Sequence, residues 1–419
     1  MRSILIPPLQ FLENPLLWLQ AISTYRATIS GGPNFAYQYC VDKIATVPRD
    51  LNLWSWEIAF NGAERIHLQT MQAFSEKFSV AGFKPQAFLP CYGLAEATLW
   101  VAGRKRGTGT RVLALDQIAL QKQQVDLSVK SRVSNMVSCG APSTSVKIVD
   151  PITFDLCSSH QVGEIWLNAP NVTAGYWQEA VKTEHSFNAK IKGDDSAYLR
   201  TGDLGFIHEG ELYVTGRLKD MIIIRGVNYY PQDIEQTVCA LYPELNGKVI
   251  SFSVDNNISE KLIIMLCMPK VDKSTYATMM QEIADKVYQV HQIIPGKIII
   301  VRKCDIQKTR SGKLQRLAAK QAFVGDKITV VFQQDFSDLI CSSIFVDETN
   351  FNLSAKEGVA LMLQTYIAST LGLPVKEISL MLPLVNYGLD SLAAVNMAAY
   401  LSKKLNRDLS ALLLFEYPS

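Results

Sequence analysis

The apolar residues of this chain recur at different spacings in different stretches, and those spacings divide it. From residue 11 to 45 they fall near helical intervals. Phe11, Leu12, Leu16, Leu17, Trp18, Leu19 and Ile22 predict helix, and a break at Ser30-Gly31-Gly32-Pro33-Asn34 precedes a second helix from Phe35. Residues 56–60 form a short apolar run ending at Asn61-Gly62-Ala63-Glu64. A helix of about fifteen residues should follow, with Leu68, Met71, Phe74 and Phe78 on one face. Residues 87–92 predict another strand closed by a glycine turn. Strand, turn, helix, strand is the rhythm of an α/β layer, in which ligands sit at the carboxyl ends of strands.

From about residue 140 to 215 the pattern becomes β-rich, with short turn-bounded strands at 145–149, 163–167 and 211–214. Residues 217 to about 325 read as a smaller α/β unit, with strands at 249–253, 262–266 and 297–301 and a helix near 275–291. Residues 330–354 look like a weakly patterned linker, and 355–419 like helices separated by a loop. The fold class predicted is α/β with a β-rich subdomain, then a small α/β domain, then an all-α segment.

Composition narrows the function. The 419 residues fit two to four domains at about 150 residues each. Lys and Arg total 41 against 39 Asp and Glu, and no stretch gathers five like charges, so a nucleic-acid or membrane-surface role gains no electrostatic support. Eight cysteines are scattered without a C-x-x-C pair, which argues against zinc and for buried thiols in a reducing compartment. The apolar patch after Met1 is too short and too broken by Pro7 and Pro8 for a signal peptide or a membrane span. A cytoplasmic protein is expected.

Candidate chemistry gathers in five places. Tyr198-Leu199-Arg200-Thr201-Gly202-Asp203-Leu204 puts one carboxylate in a glycine-flanked turn. Gly216-Arg217-Leu218-Lys219-Asp220 puts a guanidinium at a second. An ionised Asp203 only accepts hydrogen bonds and suits paired ribose hydroxyls, while Arg217 donates to ribose or phosphate oxygens. Upstream, Tyr92-Gly93-Leu94-Ala95-Glu96 offers a ring to stack on adenine and, in Glu96, an oxygen ligand for Mg²⁺. Gly62-Ala63-Glu64 makes a small-residue turn that a base edge can approach. Downstream, Lys313 follows Gly312 in a Ser-Gly loop and can meet charge developing between a carboxylate and an α-phosphate. Taken singly, Tyr92 is more often a core aromatic, Asp203 a turn former and Lys313 a solvated lysine. Their order along the chain makes them a set.

That set resembles the adenylate-forming superfamily. Ser30-Gly31-Gly32-Pro33-Asn34-Phe35-Ala36-Tyr37, Ala59-Phe60-Asn61-Gly62-Ala63-Glu64, Tyr92-Gly93-Leu94-Ala95-Glu96-Ala97-Thr98 and the run from Arg217 to Gly226 look, more narrowly, like fatty acyl-AMP ligases, over roughly residues 9–325. The resemblance implies the C-terminal half of a large AMP-binding domain at 1–216, with a family insertion near 100–138 that hinders the domain rotation used to make CoA thioesters. It implies a small mobile domain at 217–328 that swings at Lys219, and a linker at 329–354. ATP, Mg²⁺ and a fatty acid are the implied ligands, with Gly62, Ala63, Glu64, Tyr92, Gly93, Asp203 and Arg217 on the nucleotide and Glu96 and Lys313 at the reaction. Two departures stand out. The Ser/Thr/Gly-rich loop that grips the β- and γ-phosphates is absent, as though about two hundred residues were missing, and such a half-domain should expose apolar surface. Arg65 stands where the family usually has Pro.

Near the C-terminus, Tyr387-Gly388-Leu389-Asp390-Ser391-Leu392 opens an apolar helical stripe through Val395, Ala399 and Leu405. A serine at a helix start is most often a cap. With the helix before it (Leu361, Leu363, Ile367) and Leu412-Leu413-Leu414-Phe415 after it, residues 355–419 are similar to acyl and peptidyl carrier proteins. That implies a 4′-phosphopantetheine arm on Ser391, attached by a phosphopantetheinyl transferase, and a downstream polyketide or nonribosomal peptide synthase. Three alternatives stay open: an inactive remnant acting as carrier or docking module, half of a split enzyme, and a CoA ligase.

Overall fold

The computed structural model describes residues 2–129, 132–224, 226–255, 260–268, 273–302, 305–308 and 314–336. Beyond these it describes only positions 360, 361, 363, 364, 367, 378 and 397. Two compact units result, Met1–Ile293 with Ile298–Gln333, and Ile294–Lys297 with Gln334–Ser419.

In the first unit the predicted N-terminal helix is cut in two. Helix α1 (Pro8–Glu13) ends at Asn14, and α2 (Leu16–Tyr25) starts after Pro15, which cannot donate within a helix interior. Strand β1 (Ile29–Gly32) leads into α3 (Asn34–Lys43), β2 (Ile58–Asn61) into α4 (Leu68–Phe78), and α4 into β3 (Phe88–Gly93). Pairing is parallel from β1 to β2 and from β2 to β3, the expected α/β layer, and α4 buries Met71, Phe74 and Phe78 of the predicted stripe. Strand β4 (Trp100–Gly103) adds antiparallel to β3 and pairs in turn with the short β7 (Ala141–Pro142). Beneath this sheet lies an aromatic core. Tyr37 meets Phe74 edge-on at 5.1 Å and Phe88 at 5.2 Å, and Trp56 meets Phe83 at 5.2 Å. Each such contact adds about 0.5–1.5 kcal/mol beyond area burial.

Between β4 and β7 runs an antiparallel hairpin of β5 (Val112–Asp116) and β6 (Val133–Val137). It carries the short helix α5 (Gln117–Gln121), which Asp116 caps by accepting from the Ala119 amide at 3.0 Å. The β-rich stretch forms a separate antiparallel sheet of β8 (Ser145–Val149), β9 (Gly163–Asn168), β10 (Leu199–His208) and β11 (Glu211–Arg217), in the order β11-β10-β9-β8, with helix α6 (Ala180–Phe187) between β9 and β10.

After a 3₁₀ turn at Leu218–Asp220 the chain makes the hairpin β12 (Ile222–Ile224) and β13 (Val227–Tyr229), then α7 (Pro231–Leu241). A four-stranded sheet follows, from β14 (Val249–Asp255), β15 (Glu260–Cys267), β16 (Lys297–Val301) and β17 (Val330–Asp335), with α8 (Lys273–His291) and α9 (Arg316–Val324). We call this segment the small lobe and everything before it the large lobe. Strand β17 corrects the sequence reading: 330–335 was expected as linker, but Val330-Val331-Phe332 is β-prone and takes the sheet edge. Helix α7 was also missed.

In the second unit the Phe336 amide donates to the Gly296 carbonyl at 3.0 Å, and the Gln364 side chain donates to the Ile378 carbonyl at 2.7 Å. Ile367, Ile378 and Met397 are buried. Leu5, Leu9, Ile29 and Phe60 reach solvent. Among the described residues no helix is long and apolar enough to cross a membrane.

Candidate nucleotide site

The site is built on an interruption of the β10 ladder. Pairing with β9 holds at Leu199 and Arg200, then resumes only at Leu204, so residues 201–203 are lifted from the ladder. Bulges of this kind re-aim side chains beside functional sites. Gly202 takes φ +71, a left-handed conformation. The lift leaves Asp203 opposite Arg217 of β11.

Three predicted residues meet there. Arg217 Nε donates to Asp203 Oδ1 at 2.8 Å, and the Tyr92 hydroxyl donates to Oδ2 at 2.7 Å. Asp203 is only 8% exposed, so its charge depends on these partners, whereas the Arg217 side chain is 62% exposed and presents the rest of its guanidinium to solvent. Burial, reinforced by the Asp203 carboxylate, pushes the Tyr92 hydroxyl well above its usual range and keeps it a donor. Asp203 in turn raises Arg217. Tyr92 was expected as an open platform for a base. In this conformation its ring belongs to the core, and its visible work is to hold one oxygen of Asp203.

Upstream of Tyr92, the Gly62-Ala63-Glu64 turn is forced by its surroundings. A Cβ on Gly62 would lie 2.7 Å from the Cys91 carbonyl oxygen, so only glycine fits. Ala63 adopts φ +67, which costs an alanine about 1–2 kcal/mol. Glu64 then accepts from the Phe35 amide at 2.6 Å and ties the turn to α3. Gly93 is equally constrained, since a Cβ there would meet the Leu99 carbonyl. Glu96 follows in a short 3₁₀ turn and accepts from the Tyr176 hydroxyl at 2.8 Å, which with burial pushes that phenol up to about 12. Among the described residues no cluster of three or more His, Cys, Asp or Glu could hold a metal. The single carboxylate of Glu96 fits a Mg²⁺ whose other ligands are water and phosphate oxygens.

Lys219 is exposed in the 3₁₀ turn that joins the lobes. Lys313 and Ser391 lie outside the described residues; Lys308 and Leu314 form an isolated bridge.

Several residues were missed from sequence. Arg316 grips Glu235 with Nε at 2.8 Å and Nη2 at 2.6 Å and reaches Asp220 at 3.4 Å, pinning the joining turn to α7 and α9. These carboxylates hold the Arg316 guanidinium above its usual range despite burial. Arg65, noted only as a departure, is buried against Asp233 of α7 at 2.6 Å with the Tyr230 ring 5.7 Å away. Asn246 to Asp42 and Gln236 to Gln69, both at 3.0 Å, extend that contact. Glu164, the second residue of β9, is only 2% exposed. A charge inside Gly163-Glu164-Ile165-Trp166-Leu167 was the available signal.

Residues 1–177 match the AMP-binding enzyme family, 219–333 the AMP domain of Disco-interacting protein 2-like proteins, and 363–419 the phosphopantetheine attachment site. A medium-chain-fatty-acid–[acyl-carrier-protein] ligase, JamA of Moorena producens, is 40% identical over 331 residues, which are 76% of this chain and 55% of that protein. A fatty acyl-adenylate ligase of Legionella pneumophila, solved with acyl adenylate and pyrophosphate, is 39% identical with a TM-score of 0.51, covering 79% of this chain and 58% of its own. A structure from work on fatty acyl-adenylate ligases of E. coli and L. pneumophila is 31% identical with a TM-score of 0.68, covering 76% and 56%. The chain thus spans little more than half the length of the relatives it matches.

Proposed function

We propose that the chain, whose residues 1–177 match the AMP-binding enzyme family and 363–419 the phosphopantetheine attachment site, serves fatty acid activation as an acyl adenylate and transfer of the acyl group to a carrier thiol. The observation that carries this reading is the Asp203 carboxylate, buried and held by Tyr92 and Arg217 on an interrupted strand. A carboxylate fixed by two donors keeps lone pairs for the two hydroxyls of a ribose.

In the reaction a carboxylate oxygen of the fatty acid attacks the α-phosphorus of ATP and pyrophosphate leaves. Ser391 would hold the 4′-phosphopantetheine arm, which would supply the thiol that takes the acyl group as AMP leaves. Asp203 and Arg217 orient the ribose and the neighbouring phosphate, and the turn at Gly62, Ala63 and Glu64 admits the base edge. Lys313 meets the charge that develops on the attacking centre. Glu96 would hold Mg²⁺, which would neutralise phosphate charge. Lys219 is the hinge between a large domain at 1–216 and a small one at 217–328, with the carrier at 355–419. A phosphopantetheinyl transferase would load Ser391, a polyketide or nonribosomal peptide synthase would receive the acyl chain, and the cytoplasm is the compartment.

ATP–pyrophosphate exchange in the presence of medium-chain fatty acids tests the first half-reaction. Exchange that is lost in Lys313→Ala and Asp203→Asn supports the reading, and absence of exchange in the wild-type chain defeats it. The match of residues 363–419 to the phosphopantetheine attachment site favours one second reading, a carrier and docking module, which expects pantetheine on Ser391 with no exchange.

A further inference from the structure

The geometry points to Glu164 as the positioning residue for the nucleotide carboxylate: it holds the backbone that aims Asp203, and through Asp203 it sets selectivity for ribose over deoxyribose. The inference rests on the reading of Asp203 as the ribose ligand.

Glu164 is the second residue of β9, between Gly163 and Ile165, and it is 2% exposed. An ionised carboxylate is costly there unless every oxygen is satisfied. Each one is. Oε2 accepts from Arg200 Nη2 at 2.8 Å, from Arg200 Nε at 3.0 Å and from Trp166 Nε1 at 2.9 Å. Oε1 accepts from the Gly202 amide at 3.0 Å. That last bond connects the cluster to the site. Residues 201–203 have left the ladder with β9, so their amides need other acceptors. Glu164 takes the Gly202 amide, while Thr201 Oγ1 accepts from the Asp203 amide at 3.1 Å and donates to the Ile165 carbonyl at 2.7 Å. The lifted segment is therefore pinned by side chains to β9, one residue before and at Asp203.

Arg200 completes the anchor. Its guanidinium carbon lies 5.1 Å from the Phe154 ring centre and 5.4 Å from that of Trp166. The cation is fixed by two aromatic faces as well as by the acid, and it holds Glu164 from the side opposite Gly202. Nothing within 4 Å would block a Cβ on Gly202, so the glycine serves backbone conformation, the variable that Glu164 controls. A cluster needed for packing alone would be as well served by an apolar side chain. This one delivers an acceptor to a displaced amide.

The test measures binding of AMP, 2′-deoxy-AMP and 3′-deoxy-AMP to the full chain by titration calorimetry, for wild type, Glu164→Gln, Arg200→Lys and Asp203→Asn. Wild type should bind AMP more tightly than either deoxynucleotide by about tenfold, and Asp203→Asn should abolish that margin. Glu164→Gln should narrow the margin to roughly twofold, mostly by weakening AMP, with the deoxynucleotides little affected. Arg200→Lys keeps the charge but loses the paired donors, and should narrow the margin in the same direction if Glu164→Gln does not fold. An unchanged margin in both folded variants, or equal weakening of all three ligands, overturns the positioning role while leaving Asp203 as the ribose ligand. A wild type that does not discriminate, or an Asp203→Asn that still does, overturns the underlying reading and this inference with it.

Discussion

The cradle around Asp203 and the boundary between the lobes use the same residue types in opposite ways. In the cradle the charges are locked to the backbone of one sheet: Glu164 takes the Gly202 amide, and Asp203 faces Arg217 across paired strands. At the boundary Arg65 meets Asp233, Gln236 meets Gln69 and Asn246 meets Asp42, each pair from different elements and the last two exposed and exchangeable for water. Charges tied to a strand keep their geometry through a reaction. Side-chain pairs between elements can be broken and remade, as the proposed turning of the small lobe about Lys219 would require.

The sharpest way to break the contrast is Arg316→Ala. It leaves the buried Glu235 and the half-buried Asp220 without their cation, which should cost about 3–5 kcal/mol. Hydrogen exchange should accelerate in α7 and α9 while β9 to β11 keep their protection. Equal loss in both regions would mean that the lobes unfold as one.

Acid should act next most strongly, and again at the boundary. Burial, with Arg65 nearby, lowers His67 from 6.5 to about 4, against the opposing pull of Asp233 and a hydrogen bond with Gln236. His291, bonded to Thr237, is lowered by burial as well. The folded state therefore keeps these rings neutral, and the unfolded chain binds the protons first. Stability is full above about pH 6.5 and falls as pH drops towards 4, by up to about 3 kcal/mol from His67. Thermal melts from pH 7.5 to 4.5 should show that fall, and His67→Gln should flatten it.

The cradle should answer to smaller and more specific changes. Asp203→Asn should weaken AMP by roughly 10–100-fold without lowering the melting temperature by a comparable amount. Tyr92→Phe removes one donor while Arg217 remains, and should weaken AMP by only about fivefold. If Tyr92→Phe proves the more damaging, the hydroxyl rather than the guanidinium is the main support of Asp203.

These contrasts also explain what the sequence disclosed. Periodicity found the α4 face at Met71, Phe74 and Phe78 and the strand at 297–301, because one-sided burial leaves a repeating apolar signal. It placed Asp203, Arg217 and Tyr92 in one site through their motif order, and missed that Tyr92 spends its hydroxyl on Asp203 rather than opening its ring. Nothing periodic marks Arg316 or Asp233, whose partners lie 81 and 168 positions away as the chain runs from Arg316 to Glu235 and from Asp233 to Arg65. Strand β17 was hidden because an edge strand is half exposed and alternates weakly.

The most direct test of the account is the intact mass of the full chain after incubation with a phosphopantetheinyl transferase, CoA, ATP, Mg²⁺ and a mixture of fatty acids. The account predicts a pantetheine adduct that then gains an acyl mass, with the acyl gain lost in Lys313→Ala and both masses lost in Ser391→Ala. A pantetheine adduct that never gains an acyl mass would contradict the ligase assignment and leave a carrier beside an inert nucleotide fold.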